Sequence, residues 1–171
     1  MGVWWVCHIV FFCKTRGVVL CYTEPMEVLQ WNSRGLISKW AEAKHMLTER
    51  VYHAICLQET HFLTNDKYPF NIPHFTLYNE YAAQGDRRGG VSIYVSNKLP
   101  HNKITVQTTL QAVVCSVRFH DRRMTICSLY LPPTEPLSFQ EITGLVEQLP
   151  KPFIICTDAN SKHPLWGSTQ C

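Results

Sequence analysis

Residues 54–60 read Ala-Ile-Cys-Leu-Gln-Glu-Thr. Four apolar residues follow one another without the alternation of a half-exposed strand, and the run then stops on three polar ones. Such a segment predicts a strand buried on both faces that ends where polar groups can gather. The same reading recurs along the chain. Val28-Leu29-Gln30-Trp31-Asn32 predicts a short strand ending on Asn32, Met124 to Tyr130 one ending on Tyr130, and Pro152 to Cys156 one running into Thr157-Asp158-Ala159-Asn160. Between the first two, Leu36, Trp40, Ala43 and Leu47 fall at helical spacing. Further strands are expected at Phe75–Tyr78, Val91–Val95, Ile104–Val106 and Ala112–Phe119, with His120-Asp121-Arg122-Arg123 as a hairpin loop. Ser138-x-x-Glu141 has the form of a capping box opening a helix with Phe139, Ile142, Leu145 and Leu149 on one face. The order predicts one α/β or α+β domain built on mixed sheets.

Composition agrees with a folded domain. Of the 171 residues, 46% are hydrophobic and 17% charged, which excludes a disordered chain. The net charge of +3 permits a polyanionic partner without demanding one, and since no Lys/Arg run exceeds two residues a polybasic tail is excluded. Of eight cysteines, Cys56, Cys115, Cys127 and Cys156 stand in apolar runs, where Cys acts as a small buried hydrophobe. No Cys-x-x-Cys occurs, and the thiols are expected to be reduced in an intracellular protein. Val3 to Cys13 is apolar but too short for a membrane span, and no positive charge precedes it as in a signal peptide. Residues 1–27 are accordingly expected to be an appendage outside the domain, with residues 28–171 forming it. No membrane association is expected.

The chemistry concentrates at the strand ends. Asn32, Glu59, Asp158 and Asn160 supply two carboxylates and two carboxamides, and Tyr130 ends a further strand. Polar groups at adjacent strand ends can meet in one crevice, and oxygen donors of this kind suit Mg²⁺ and phosphoryl chemistry. Each residue also has an ordinary reading: Glu59 as a solvated loop residue, Asp158 and Asn160 as an Asx-turn, Asn32 as a helix cap, Tyr130 as a half-buried strand aromatic.

Five ordered segments go further: LQWNSRG (29–35), LQETH (57–61), RRGGVSIYV (87–95), CSLYLPP (127–133) and FIICTDANSKHPLWGS (153–168). Together they resemble the endonuclease domain of non-LTR retrotransposons, in the endonuclease/exonuclease/phosphatase superfamily. RGGV and HPLWGS look most like arthropod Jockey-type elements. The resemblance spans about residues 28–171 and implies a four-layer sandwich of two mixed β-sheets flanked by helices. It implies Mg²⁺-dependent nicking of DNA, with Mn²⁺ as an alternative ion. By position, Glu59 is the principal metal ligand and Asn32 assists at the metal or phosphate. Tyr130 donates to the scissile phosphate, Asp158 orients the attacking water, and Asn160 stabilises phosphate charge. Implied partners are DNA and the element's reverse transcriptase region, and nuclear action follows from the substrate.

Two departures qualify the resemblance. Thr157-Asp158-Ala159-Asn160 stands where the family usually has Gly-Asp-Phe-Asn, and the sequence ends at Cys171 without the family's Ser-Asp-His segment. The expectation is therefore a domain incomplete at its C-terminus with impaired turnover. An inactive relic of the same fold is the alternative, ahead of a phosphatase or sphingomyelinase relative. Arg87, Arg88, Arg122 and Arg123 are candidates for tracking a DNA backbone, against the plainer reading as solvated hairpin charges.

Overall fold

The computed structural model describes residues 25–63, 71–81, 89–132 and 138–158, together with the backbone of three short strands at 4–9, 12–15 and 18–21. In chain order the strands are β1 (Trp4–Ile9), β2 (Phe12–Thr15), β3 (Val18–Cys21), β4 (Met26–Asn32), β5 (Ala54–Gln58), β6 (Phe75–Glu80), β7 (Val91–Ser96), β8 (His101–Ile104), β9 (Gln111–Phe119), β10 (Arg122–Tyr130) and β11 (Phe153–Asp158). The helices are α1 (Trp40–Glu49), entered through a 3-10 turn at Leu36–Lys39, and α2 (Phe139–Glu147).

Two mixed sheets carry the fold. The first has the order β1-β4-β5-β7-β6 and the second β11-β10-β9-β8, while β2 and β3 pair with each other. β4 runs parallel to β5, and β10 parallel to β11. The remaining pairs within the two sheets are antiparallel. The segment expected to be an appendage supplies β1, whose backbone pairs with β4 from Trp4↔Trp31 to Ile9↔Met26.

Strand periodicity sorts the side chains into layers. Met26, Val28, Ala54, Cys56, Val91, Ile93 and Val95 of the first sheet meet Val113, Cys115, Val117, Met124, Ile126 and Cys156 of the second. The intervening residues of the first sheet, Leu29, Trp31, Ile55, Leu57 and Tyr94, pack on Leu36, Ala43 and Met46 of the helical segment. On the far side, Val114, Cys127 and Leu129 pack on Leu145 and Leu149. The result is helix, sheet, sheet, helix, the four layers expected. Each fully buried aliphatic side chain contributes about 1.5–3 kcal/mol.

Three local expectations change. Phe139 is 82% exposed, because α2 meets the sheet toward its other end, through Leu145 and through Leu149 just beyond the helix. β8 begins at His101 and ends at Ile104, earlier than read from its apolar residues; Tyr78 Oη lies 2.7 Å from His101 Nδ1, joining β6 to β8. Arg122 pairs with Phe119, so the hairpin loop is His120-Asp121 and both arginines belong to β10.

Candidate active site

Parity places the site. Counting along β4 from the inward-facing Met26 and Val28 puts Gln30 and Asn32 on the same face. The same count along β5 puts Gln58 inward after Ala54 and Cys56, and along β11 it puts Asp158 inward after Cys156. Tyr130 is itself part of the core between the sheets and is 5% exposed. All four strands end at the same pole, because β4 and β5 run parallel and their packing partners β10 and β11 run parallel.

Three sequence-predicted residues meet there. Asn32 Nδ2 donates to Glu59 Oε1 at 2.7 Å and to Asp158 Oδ2 at 2.8 Å. Asn32 Oδ1 accepts from the Arg34 N–H at 3.1 Å, which fixes the amide's sense, and the helical segment opens at Leu36 with Gly35 as its cap residue, so Asn32 is not a helix cap. Asn32 thus turns its nitrogen toward both carboxylates. Glu59 Oε2 stands 4.0 Å from His61 Nε2, too far for a hydrogen bond. Tyr130 pairs in register with Asp158 on one side and with Gln111 on the other. A cavity of about 490 Å³ opens beside it, lined by Glu80, Gln111, Pro132 and Glu141 among others.

Glu59 reaches Asn32 through an unusual backbone. Its φ of 50° lies in the left-handed region, as does that of His61 at 57°. Such conformations persist only where neighbours enforce them. On one side Ser33 N–H and Gly35 N–H donate to the carbonyls of Gln58 and Glu59, and Leu36 N–H donates to Thr60. On the other, Thr60 N–H and His61 N–H donate to the carbonyls of Gly90 and Gly89. Both glycines have positive φ, and a Cβ on Gly89 would lie 2.6 Å from Gln111 Oε1, the atom that accepts the Gly90 N–H. Gly89-Gly90 is therefore a cradle for the QETH loop.

Sequence reasoning missed the layer beneath. Gln58 is fully buried, and its Nε2 donates to Ser128 Oγ at 2.9 Å and to the Cys156 carbonyl at 3.1 Å. Its Oε1 accepts from Gln30 Nε2 at 2.7 Å. The only signal was the placement of Gln30, Gln58 and Ser128 on the inward parity of otherwise apolar strands.

Of the arginine candidates, the two described ones, Arg122 and Arg123, are not brought to this cluster. Arg122 and Arg123 open β10 at the opposite pole; at about 3.3 Å per residue, Arg123 lies roughly 23 Å along the strand from Tyr130. Asn160, Arg87 and Arg88 lie outside the described residues. The donor chemistry fits a hard divalent cation: two carboxylate oxygens share one amide nitrogen, and like charges so close favour a cation between them. Glu59 and Asp158 are the oxygen donors this arrangement offers. Among the described residues no group of three His, Cys, Asp or Glu could hold a metal, and no helix is long and apolar enough to cross a membrane.

Comparison with known proteins agrees with this fold. A family model for endonuclease-reverse transcriptase proteins matches residues 124–171. The RNA-directed DNA polymerase of the Drosophila melanogaster mobile element jockey is 26% identical over 149 residues, covering 85% of this chain and 16% of the relative. A probable RNA-directed DNA polymerase from the transposon X-element of the same organism is 25% identical over 150 residues, covering 84% of this chain. The chain thus spans 16% of the length of these relatives. Among solved structures, the endonuclease domain of TRAS1, a telomere-specific non-LTR retrotransposon, superposes with a TM-score of 0.58 at 26% identity, covering 84% of this chain and 63% of that one. The catalytic domain of Xenopus laevis APE2 superposes at 0.60 with 17% identity, covering 80% and 59%, which speaks for the fold alone. Ordered motifs, paired mixed sheets and these matches make the chain similar to the endonuclease domains of non-LTR retrotransposons, with the two-sheet fold of the endonuclease/exonuclease/phosphatase type.

Proposed function

We propose that the chain hydrolyses DNA phosphodiesters with Mg²⁺, or Mn²⁺ in its place, as the nicking endonuclease of a non-LTR retrotransposon. The observation that carries this reading is a single nitrogen, Asn32 Nδ2, hydrogen-bonded at once to a carboxylate from each sheet. Glu59 is the principal ligand in this reading, and Asn32 holds it against Asp158. A bound Mg²⁺ supplies positive charge to phosphate oxygens as negative charge develops on them. Asp158 orients the attacking water by accepting its hydrogen. Tyr130, opposite Asp158 in strand register, donates its phenolic hydrogen to a non-bridging phosphate oxygen. Asn160, two residues further on, donates from its carboxamide to the same phosphate. The water oxygen bonds to phosphorus as the bond to the 3′ oxygen breaks; the water's proton passes to Asp158 and on to solvent, the leaving oxygen takes a proton from solvent, and the resulting 3′ hydroxyl can prime copying by a reverse transcriptase. Arg87 and Arg88 immediately precede the Gly89 cradle and track the DNA backbone from there. Action on chromosomal DNA requires the nucleus.

Nicking of supercoiled plasmid tests the reading. Open circles are expected with Mg²⁺, none with chelator, and a loss of at least about 10²-fold in Glu59→Ala. Equal nicking by Glu59→Ala, or no nicking by the parent chain, overturns it. Hydrolysis of a soluble phosphomonoester with DNA left intact would transfer the chain to the phosphatase side of the superfamily.

A further inference from the structure

We infer that Gln58 is a positioning residue for the candidate active site, setting the spacing between Glu59 and Asp158 by joining the two sheets beneath them. The inference rests on the proposed metal-dependent function only for its consequence, not for its geometry. Gln58 lies one residue before Glu59 and, through Cys156, two residues before Asp158. Its carboxamide is fully engaged: two donated hydrogen bonds reach β10 and β11 of the second sheet, and one accepted bond comes from Gln30 on the neighbouring strand of its own sheet. Ser128 completes the circuit by donating from Oγ to the Leu57 carbonyl at 3.2 Å. Both Gln58 and Ser128 are 0% exposed.

Three considerations separate this from ordinary packing. First, a buried carboxamide carries a desolvation penalty that an isosteric leucine in the same apolar layer would not. Gln58 therefore gives the layer something apolar packing lacks. Second, apolar faces pack without direction, so two sheets held by Val, Ile and Met alone can settle in several offsets. Hydrogen bonds that cross between them select one. Third, the site needs that selection, because Asn32 and Glu59 come from one sheet and Asp158 from the other, and the Asn32 bridge spans both within 2.8 Å. A small slide of one sheet over the other would break it.

The test uses Gln58→Leu in the full chain, with Leu145→Ala as a control that loosens the α2 side without touching the inter-sheet layer. Three quantities are read: unfolding by urea, the side-chain amide resonances of Asn32 by NMR, and Mn²⁺ affinity. Gln58→Leu is expected to stay cooperatively folded, to move the Asn32 amide resonances toward those of a free carboxamide, and to weaken Mn²⁺ binding by about 10–100-fold. Leu145→Ala is expected to lose stability and leave both other readings in place. Should Gln58→Leu fail to fold, Ser128→Ala removes only one partner and must move the same resonances. Asn32 resonances that stay put in these variants, or that move equally in Leu145→Ala, overturn the inference. A parent chain that binds no Mn²⁺ sinks the proposed function, while the Asn32 resonances still decide the role of Gln58.

Discussion

Glu59 concentrates the conflict between stability and chemistry. Its backbone occupies a left-handed conformation that favours glycine, and its carboxylate shares a hydrogen-bond donor with Asp158. Both features cost stability, and neither is needed to build the strand before it. Two substitutions separate them. Glu59→Ala removes the charge and keeps the strain; Glu59→Gly removes both. The glycine variant is expected to unfold at higher urea concentration than the alanine variant, by about 1 kcal/mol. Both are expected to lose the divalent ion equally, read by Mn²⁺ titration. A glycine variant less stable than the alanine variant would show that the left-handed backbone is not strained. The loop leaves little room for adjustment, since Ser33 Oγ also donates to the carbonyls of Gln58 and Glu59, each at 3.1 Å.

At the scale of elements, caps and edges carry the predictions. Ser138 Oγ accepts from the Glu141 N–H at 3.3 Å, the first half of the expected capping box. The Glu141 carboxylate instead accepts from Thr109 Oγ1, tying α2 to the loop before β9. Ser138→Ala is therefore expected to cost about 1 kcal/mol in thermal unfolding, and Glu141→Gln to leave the helix cap intact. At the opposite edge, burial lowers the pKa of His101 from its ordinary value near 6.5, where its Nδ1 meets Tyr78 Oη. A histidine with a lowered folded pKa binds fewer protons folded than unfolded, so its contribution is present above the unfolded pKa and is lost as pH falls through the folded one. Stability should thus decline below about pH 6.5, and His101→Gln should flatten that decline in urea titrations run at successive pH values. The pattern of strands and helices was legible because apolar periodicity reports burial directly. The polar strand ends were legible too, and Asn32, Glu59 and Asp158 do converge. What escaped was pairing across distance. Nothing local distinguishes Gln58 from a solvated glutamine, or tells that Glu141 answers Thr109 rather than Ser138. Nor does the strand pattern of Trp4–Ile9 announce that it lies along β4.

The whole molecule is two sheets pressed together over a layer that contains thiols. Cys56, Cys115 and Cys156 lie in that layer and Cys127 on the outer face of the second sheet, all four buried and free. The hydrogen-bonding Cys156 thiol and burial push the Cys56 thiol well up. Burial, followed by neighbouring thiols, pushes Cys115 and Cys127 up to about 12. Burial denies reagents access to all four, so Cys56, Cys115 and Cys156 can react only when the sheets part, and Cys127 only when the α2 side lifts from the second sheet. Alkylation mapped by mass spectrometry is therefore expected to leave all four unmodified in the native chain and to modify them together on unfolding. The same labelling reads the site from a distance. A cation held between Glu59 of one sheet and Asp158 of the other opposes their separation, so it stabilises the closed state by mass action. At a Mg²⁺ concentration ten times its dissociation constant the labelling of the inter-sheet thiols should slow by about tenfold. Glu59→Gln should abolish that slowing without exposing the thiols. If Mg²⁺ slows labelling equally in Glu59→Gln, the ion binds elsewhere and the two sheets are not linked through this pair of carboxylates.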